Sequence, residues 1–169
     1  AAAPLALHAA RMLALLGEAG INTVLLATSG HPPFLGAEFG ETQLQIAEQK
    51  ARNEKFINLV LNKHDITDIF IFSRGPYYLT GYEPITKDGH ETAQPKVGPE
   101  KFMASLQKTV NVLSASGKSV FYVTENPELD FSPAACIARP LRSRVKNCEM
   151  DIKTVQARQR DYLSIVEGI

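Results

Sequence analysis

Ser29, Gly30 and His31 close the apolar run VLLAT and stand just before two prolines. The order raises nucleophilic catalysis, with a hydroxyl, a backbone donor and an imidazole within three residues. A serine nucleophile needs a base within about 2.6–3.2 Å and a third group to orient that base. Side chains two apart in an extended segment run side by side and do not converge. No Gly-x-Ser-x-Gly elbow is present, and no aspartate lies near His31 to orient it. The stretch therefore reads as a strand leaving the core through a small residue, a glycine and a Pro-stiffened turn. Gly30 can still bring its N–H close to a ligand and stabilise an oxyanion there, or serve the turn alone.

A second concentration is FSRGPYY, where Ser73 and Arg74 end an apolar run and Tyr77, Tyr78 and Tyr82 follow. An arginine beside tyrosines offers a site for a carboxylate, a phosphate or a sugar ring. It can equally stack on those rings to hold the loop. The histidines point elsewhere: His90 to an exposed loop, His64 to the end of a helix where it serves the dipole, and His8 to a core or cap position. Cys136 and Cys148 show no CxxC spacing, which argues against zinc, and no metal site is expected. Flanking a Pro- and Arg-rich loop, they are compatible with a disulfide in an oxidising compartment or with two buried thiols. Arg139, Arg142, Arg144 and Lys146 form a local basic cluster that reads as a solvated or partner-facing surface.

The elements that must position these groups follow from pattern. At 169 residues, 44% hydrophobic and 21% charged, the chain fits one globular domain over 1–169. Lys plus Arg and Asp plus Glu both number 18, which leaves no basic stripe for nucleic acid. No apolar run approaches the roughly 20 residues of a membrane span. The start, AAAPLALHAARML, lacks both an initiator Met and the charged leader of a signal peptide, and is expected to be a segment of something longer.

Residues 5–16 have helical spacing, with Gly17 and Gly20 as the stop. Residues 22–28, NTVLLAT, are a short continuous apolar run, as in a strand covered on both faces. Residues 42–61 repeat apolar side chains at Leu44, Ile46, Ala47, Ala51, Phe56, Ile57, Val60 and Leu61, a long amphipathic helix. DIFIFS, residues 68–73, is a second buried strand. Residues 75–98 are Pro-, Gly- and polar-rich and read as a long loop, either functional or disordered. Pro99 starts a helix striped by Phe102, Leu106, Val110 and Leu113 and closed by Gly117. Residues 118–127 supply a third strand, and 152–169 a last helix. This alternation predicts a three-layer α/β/α sandwich with a mostly parallel sheet. Ligands in such sheets bind outside the carboxyl ends of the strands, here Ser29-Gly30-His31, Ser73-Arg74-Gly75 and Thr124-Glu125-Asn126.

GINTVLLATSGHPPFLG, DITDIFIFSRGPYYLTGY and LQKTVNVLSASGKSVFYVTENPELDFSPAACIARPL carry a resemblance that spans most of the chain. In order and spacing the chain resembles the SGNH-hydrolase-like domain fused to membrane acyltransferases of the OafA/YrhL type, the acyltransferase 3 family. The resemblance implies an SGNH- or flavodoxin-like sheet and a serine-dependent O-acyltransferase that acetylates cell-surface polysaccharide. It also implies a periplasmic or extracytoplasmic location within a membrane protein, an acyl donor supplied through the membrane domain, a carbohydrate acceptor, and no cofactor.

Its departures bear on the chemistry. The family's Gly-Asp-Ser-His block would fall before Ala1, and its Asp-x-x-His block after Ile169. No triad member can be named, the central nucleophile strand is expected to be missing, and the segment alone is expected to be inactive. The family's third block, Gly-x-Asn, has Ser73-Arg74-Gly75 at the matching strand exit, and His31 stands where the family often has Cys. What carries over is the oxyanion or substrate side: Gly30, Ser73 and Arg74, with Tyr77 and Tyr78 beside them. The alternative is a non-catalytic α/β carbohydrate-binding or interaction module that uses Arg74 and the tyrosines. A nucleotide binder is disfavoured because no Gly-rich phosphate loop follows any strand.

Overall fold

A computed structural model describes residues 3–26, 31–38, 42–80, 98–124 and 149–169, without the side chains of residues 3–10, Tyr77 and Thr80. The elements in chain order are α1 (Ala3–Glu18), α2 (Gln43–Leu61), β1 (Asp68–Phe72), α3 (Gly75–Thr80), α4 (Pro99–Ala115), β2 (Ser119–Val123) and α5 (Ile152–Glu167). The alternating α/β order is the expected one, with a small sheet. β1 and β2 pair in parallel, with Asp68 opposite Ser119 and Phe72 opposite Val123. The hydrogen bond from Ser119 N to Thr67 O, 2.9 Å, extends that ladder by one residue.

Local chemistry sets the helix ends. Thr42 caps α2 with a reciprocal box: Gln45 N donates to Thr42 Oγ1 and Thr42 N to Gln45 Oε1, both at 3.2 Å. Such a cap contributes about 1 kcal/mol. Pro99 begins α4, where its missing N–H costs nothing. Gly117 follows α4 at φ +80°, a backbone that other residues adopt only with strain.

The core gathers Phe34, Ile57, Val60, Ile71, Tyr78, Leu79, Phe102, Leu106, Leu113 and Tyr162. α4 packs on β2 and α5, and α3 packs on both α4 and α5. Phe34 and Phe102 are fully buried and meet edge to face, centroids 5.4 Å apart at 80°. Aromatic pairs in this geometry add about 0.5–1.5 kcal/mol to the burial itself.

Three expectations change. Residues 22–26 form no strand: Val24 is 67% and Leu25 47% exposed, and no described strand pairs with them. An apolar run is buried on both faces only where neighbouring strands and helices cover it. Residues 27–30 lie outside the described residues, as do Cys136, Cys148, the basic cluster and Gly30. The α2 stripe is rotated from the expected one, since its buried side chains are Gln49, Asn53, Ile57 and Val60, while Leu44 is 69% exposed. Finally, the region after β1 begins with a helix, α3, rather than a loop.

His64 is exposed and lies beyond the C-cap Asn62. The turn that follows is held by Lys118, buried at the entry to β2, whose Nζ donates to Lys63 O at 2.8 Å and Ile66 O at 2.6 Å.

Candidate functional site at the carboxyl end of the strands

β1 delivers Ser73 and Arg74 to its carboxyl end because it stops at Phe72 and the chain turns at once into α3. Arg74 is half-buried, and its carbonyl accepts the Tyr78 N–H at 3.3 Å. Ser73 is buried, and its Oγ lies 2.5 Å from the Tyr122 hydroxyl on β2. Tyr122 in turn accepts a hydrogen bond from Tyr162 Oη on α5 at 3.3 Å. Three hydroxyls, one just past β1, one from β2 and one from α5, thus line up behind the strand exit. In parallel register Tyr122 sits opposite Ile71, one strand position before Val123, which brings its phenol to the level of Ser73.

The ring of Tyr162 is held tightly. It lies 6.3 Å from Phe102 and 6.4 Å from Tyr122, centroid to centroid, and is 1% exposed. Gly75 makes the room. A Cβ at that position would stand 1.9 Å from Tyr162 Cε2, inside any van der Waals contact. The glycine after Ser73-Arg74 is thus a seat for an aromatic ring.

The second strand exit that sequence pointed to is described from His31 onward. His31 is half-buried. The following Pro32, Phe34 and Ala37 are buried, and helices on both sides bolt the loop down. Asn53 Nδ2 of α2 donates to Pro32 O at 3.0 Å and to Phe34 O at 2.9 Å. Leu35 N donates to Thr109 Oγ1 of α4 at 2.8 Å, and that hydroxyl donates to Ser105 O at 2.7 Å. The Phe34 ring reaches within 6.4 Å of Tyr122, centroid to centroid. The Pro-Pro loop and the β1 exit therefore share one aromatic foundation.

Among the five site residues expected from sequence, Ser73 and Arg74 are adjacent at the strand end. Tyr78 is 4% exposed and belongs to the core, so it braces α3 and is not available as a surface contact. Tyr77 lies in α3, its side chain outside the described residues, and Gly30 is outside them altogether. Sequence reasoning missed Tyr122, Tyr162 and Asn53, and it named Gly75 at the strand exit without its role as a seat for Tyr162. Asn53 had a signal, a polar residue one turn before Ile57 on an apolar stripe. Tyr122 and Tyr162 had none, because their pairing is set by tertiary packing.

Ser73 is paired with a phenol, and a phenol is not the base that a nucleophilic serine requires. A hydroxyl so placed suits hydrogen bonding to a ligand oxygen at the strand end. None of the described helices is long and apolar enough to cross a membrane.

Comparison with known proteins gives one positive finding. The model of the SGNH domain fused to AT3 domains matches residues 6–169. No curated protein and no solved structure matches the chain. The match runs through both strands, all but the first residues of α1, and the Ser73-Arg74 exit. An acyltransferase-associated α/β domain is therefore what this sequence encodes: the chain belongs to the family of SGNH domains fused to AT3 domains.

Proposed function

We propose that this chain is the SGNH part of an O-acyltransferase that passes acetyl groups to cell-surface polysaccharide on the extracytoplasmic side of a membrane. The observation that carries the reading is the family match over residues 6–169. The position of Ser73 and Arg74 at the carboxyl end of a parallel strand, where such sheets bind ligands, supports it. In this reading the acyl group reaches the strand exits from a membrane acyltransferase domain and a sugar hydroxyl receives it. The serine, histidine and aspartate of a triad lie outside what this chain can assign. Ser73 and Arg74 act on the oxyanion or substrate side, and Gly30 is proposed as a backbone donor beside them.

The test uses the longer protein that carries this chain. With its natural polysaccharide and an isotopically labelled acetyl donor, the intact protein should place label on sugar hydroxyls as alkali-labile esters. A variant lacking residues 6–169 should not. Undiminished labelling without these residues would refute the proposal. Labelling that persists with a raised requirement for acceptor would instead favour a non-catalytic carbohydrate-binding module.

A further inference from the structure

α5 sends one side chain fully into the interior. All sixteen of its residues are described, and only Tyr162 among them is buried. Leu163, Ile165 and Val166 are only partly covered where they meet the core. The Tyr162 ring lies with one edge over Gly75, the residue that follows Ser73 and Arg74. A Cβ on Gly75 would run into ring carbons Cε2, Cδ2 and Cζ. Phe102 of α4 and Tyr122 of β2 flank the same ring, with centroids 6.3 Å and 6.4 Å away. The ring is thus enclosed by α4, β2 and the strand exit. Interiors packed this closely transmit a displacement instead of absorbing it. Gly75 has no side chain that could rotate aside, so the ring bears on the backbone itself. That backbone also starts α3, whose first-turn bond runs from Tyr78 N to Arg74 O at 3.3 Å.

We infer that Tyr162 is a positioning residue: its ring, seated on Gly75, sets the height at which β1 presents Ser73 and Arg74, so that α5 and the strand exit move as one body. Tyr162 acts through Gly75, and the shape of its ring carries the effect, because ring carbons make the fit. That Ser73 and Arg74 serve acyl transfer rests on the proposed function; the fit of ring to glycine does not. A shift of α5 therefore reaches the site through a single contact.

Two experiments test this separately. In the 169-residue chain, hydrogen exchange of the Tyr78 amide reports whether the first turn of α3 stays on the strand exit. The Leu106 amide in the middle of α4 is the reference. Tyr162→Leu, whose side chain ends before Cε2 and Cζ, should speed exchange at Tyr78 about 10-fold more than at Leu106. Tyr162→Phe keeps the ring and should change that ratio by less than about twofold. Equal acceleration of both amides by Tyr162→Leu marks a general loss of stability and would overturn the inference. An equal response to Phe and Leu would assign the effect to the hydroxyl and overturn it too. Should Tyr162→Leu fail to fold, Tyr162→Met is read in its place, with the same outcomes. In the longer protein, Gly75→Ala should lower kcat for acetyl transfer by about 100-fold, the scale of an ångström's misplacement. KM should stay within about twofold. Adding Tyr162→Leu removes carbons that the new methyl meets and should recover about 10-fold of that loss. A double variant no better than Gly75→Ala would overturn the fit. If Gly75→Ala does not fold, a double variant that folds supports the fit, and one that stays unfolded overturns it. If the unaltered protein transfers no acetyl group, the proposed function falls, and exchange at Tyr78 still decides whether the ring positions the exit.

Discussion

The two faces of the β1–β2 ladder are built from similar side chains and have opposite fates. One face, with Ile71 and Tyr122, meets Phe34, Phe102 and Tyr162 and is closed over by α4 and α5. On the other, Phe70 and Phe121 stack at 4.9 Å and 16°, yet they remain 49% and 46% exposed. Composition alone does not separate the faces. What separates them is the layer of described structure that covers one and leaves the other open. The covered face is also the one that holds the hydroxyl chain, because a polar network gains strength only where water is excluded.

Mutations can break or sharpen this contrast. The largest expected effect is Phe102→Ala on the covered side, a loss of about 3–5 kcal/mol in urea unfolding. Phe121→Ala on the open face should cost less than a third of that. Equal losses would mean that both faces are packed in solution. Gly75→Ala follows, at about 1–3 kcal/mol, because its Cβ must displace Tyr162; the near-ultraviolet dichroism of the tyrosines should fall with it. Lys118→Met should cost about 2 kcal/mol, since it leaves the carbonyls of Lys63 and Ile66 without their shared donor. A change below about 0.5 kcal/mol would show that water replaces that donor without loss. Gln49→Met should have the opposite sign. Both atoms of the Gln49 amide are buried without a hydrogen-bond partner among the described residues, and replacing the amide by an apolar group of similar shape should raise stability by about 1 kcal/mol. A loss would show that the amide is satisfied in solution.

Much of the framework was legible because its signals are local. Thr42 and Gln45 form a cap within one turn, Pro99 and Gly117 bracket α4, and DIFIF and SVFYV are strands by composition and length. The elements that misled are those whose state depends on distant neighbours. Residues 22–26 have the apolar run of a strand and lack a described partner to pair with. GPYYLT looks like a loop because it begins with Gly and Pro, yet it makes a short helix whose Tyr78 and Leu79 are buried in the core. For the site, Ser73 and Arg74 were recognisable as a strand exit. The partners of Ser73 were not, because Tyr122 and Tyr162 reach it only when β1, β2 and α5 are assembled.

The clasp between Leu35 and Thr109 joins residues 74 apart in the chain, which makes it a feature of the folding order as well as of the packing. Contacts of such separation form only after the chain between them has been closed, and that entropy is lost before the contact returns anything. The Pro-Pro loop can gather on α2 through Asn53, 19–21 residues away, and the ladder can form by itself; the clasp then joins the loop to α4. Loosening the clasp should therefore hasten unfolding and leave the refolding rate nearly untouched. The two halves of the candidate site are then expected to meet late: the loop settles on α2, the strand exit forms with the ladder, and the clasp closes one against the other.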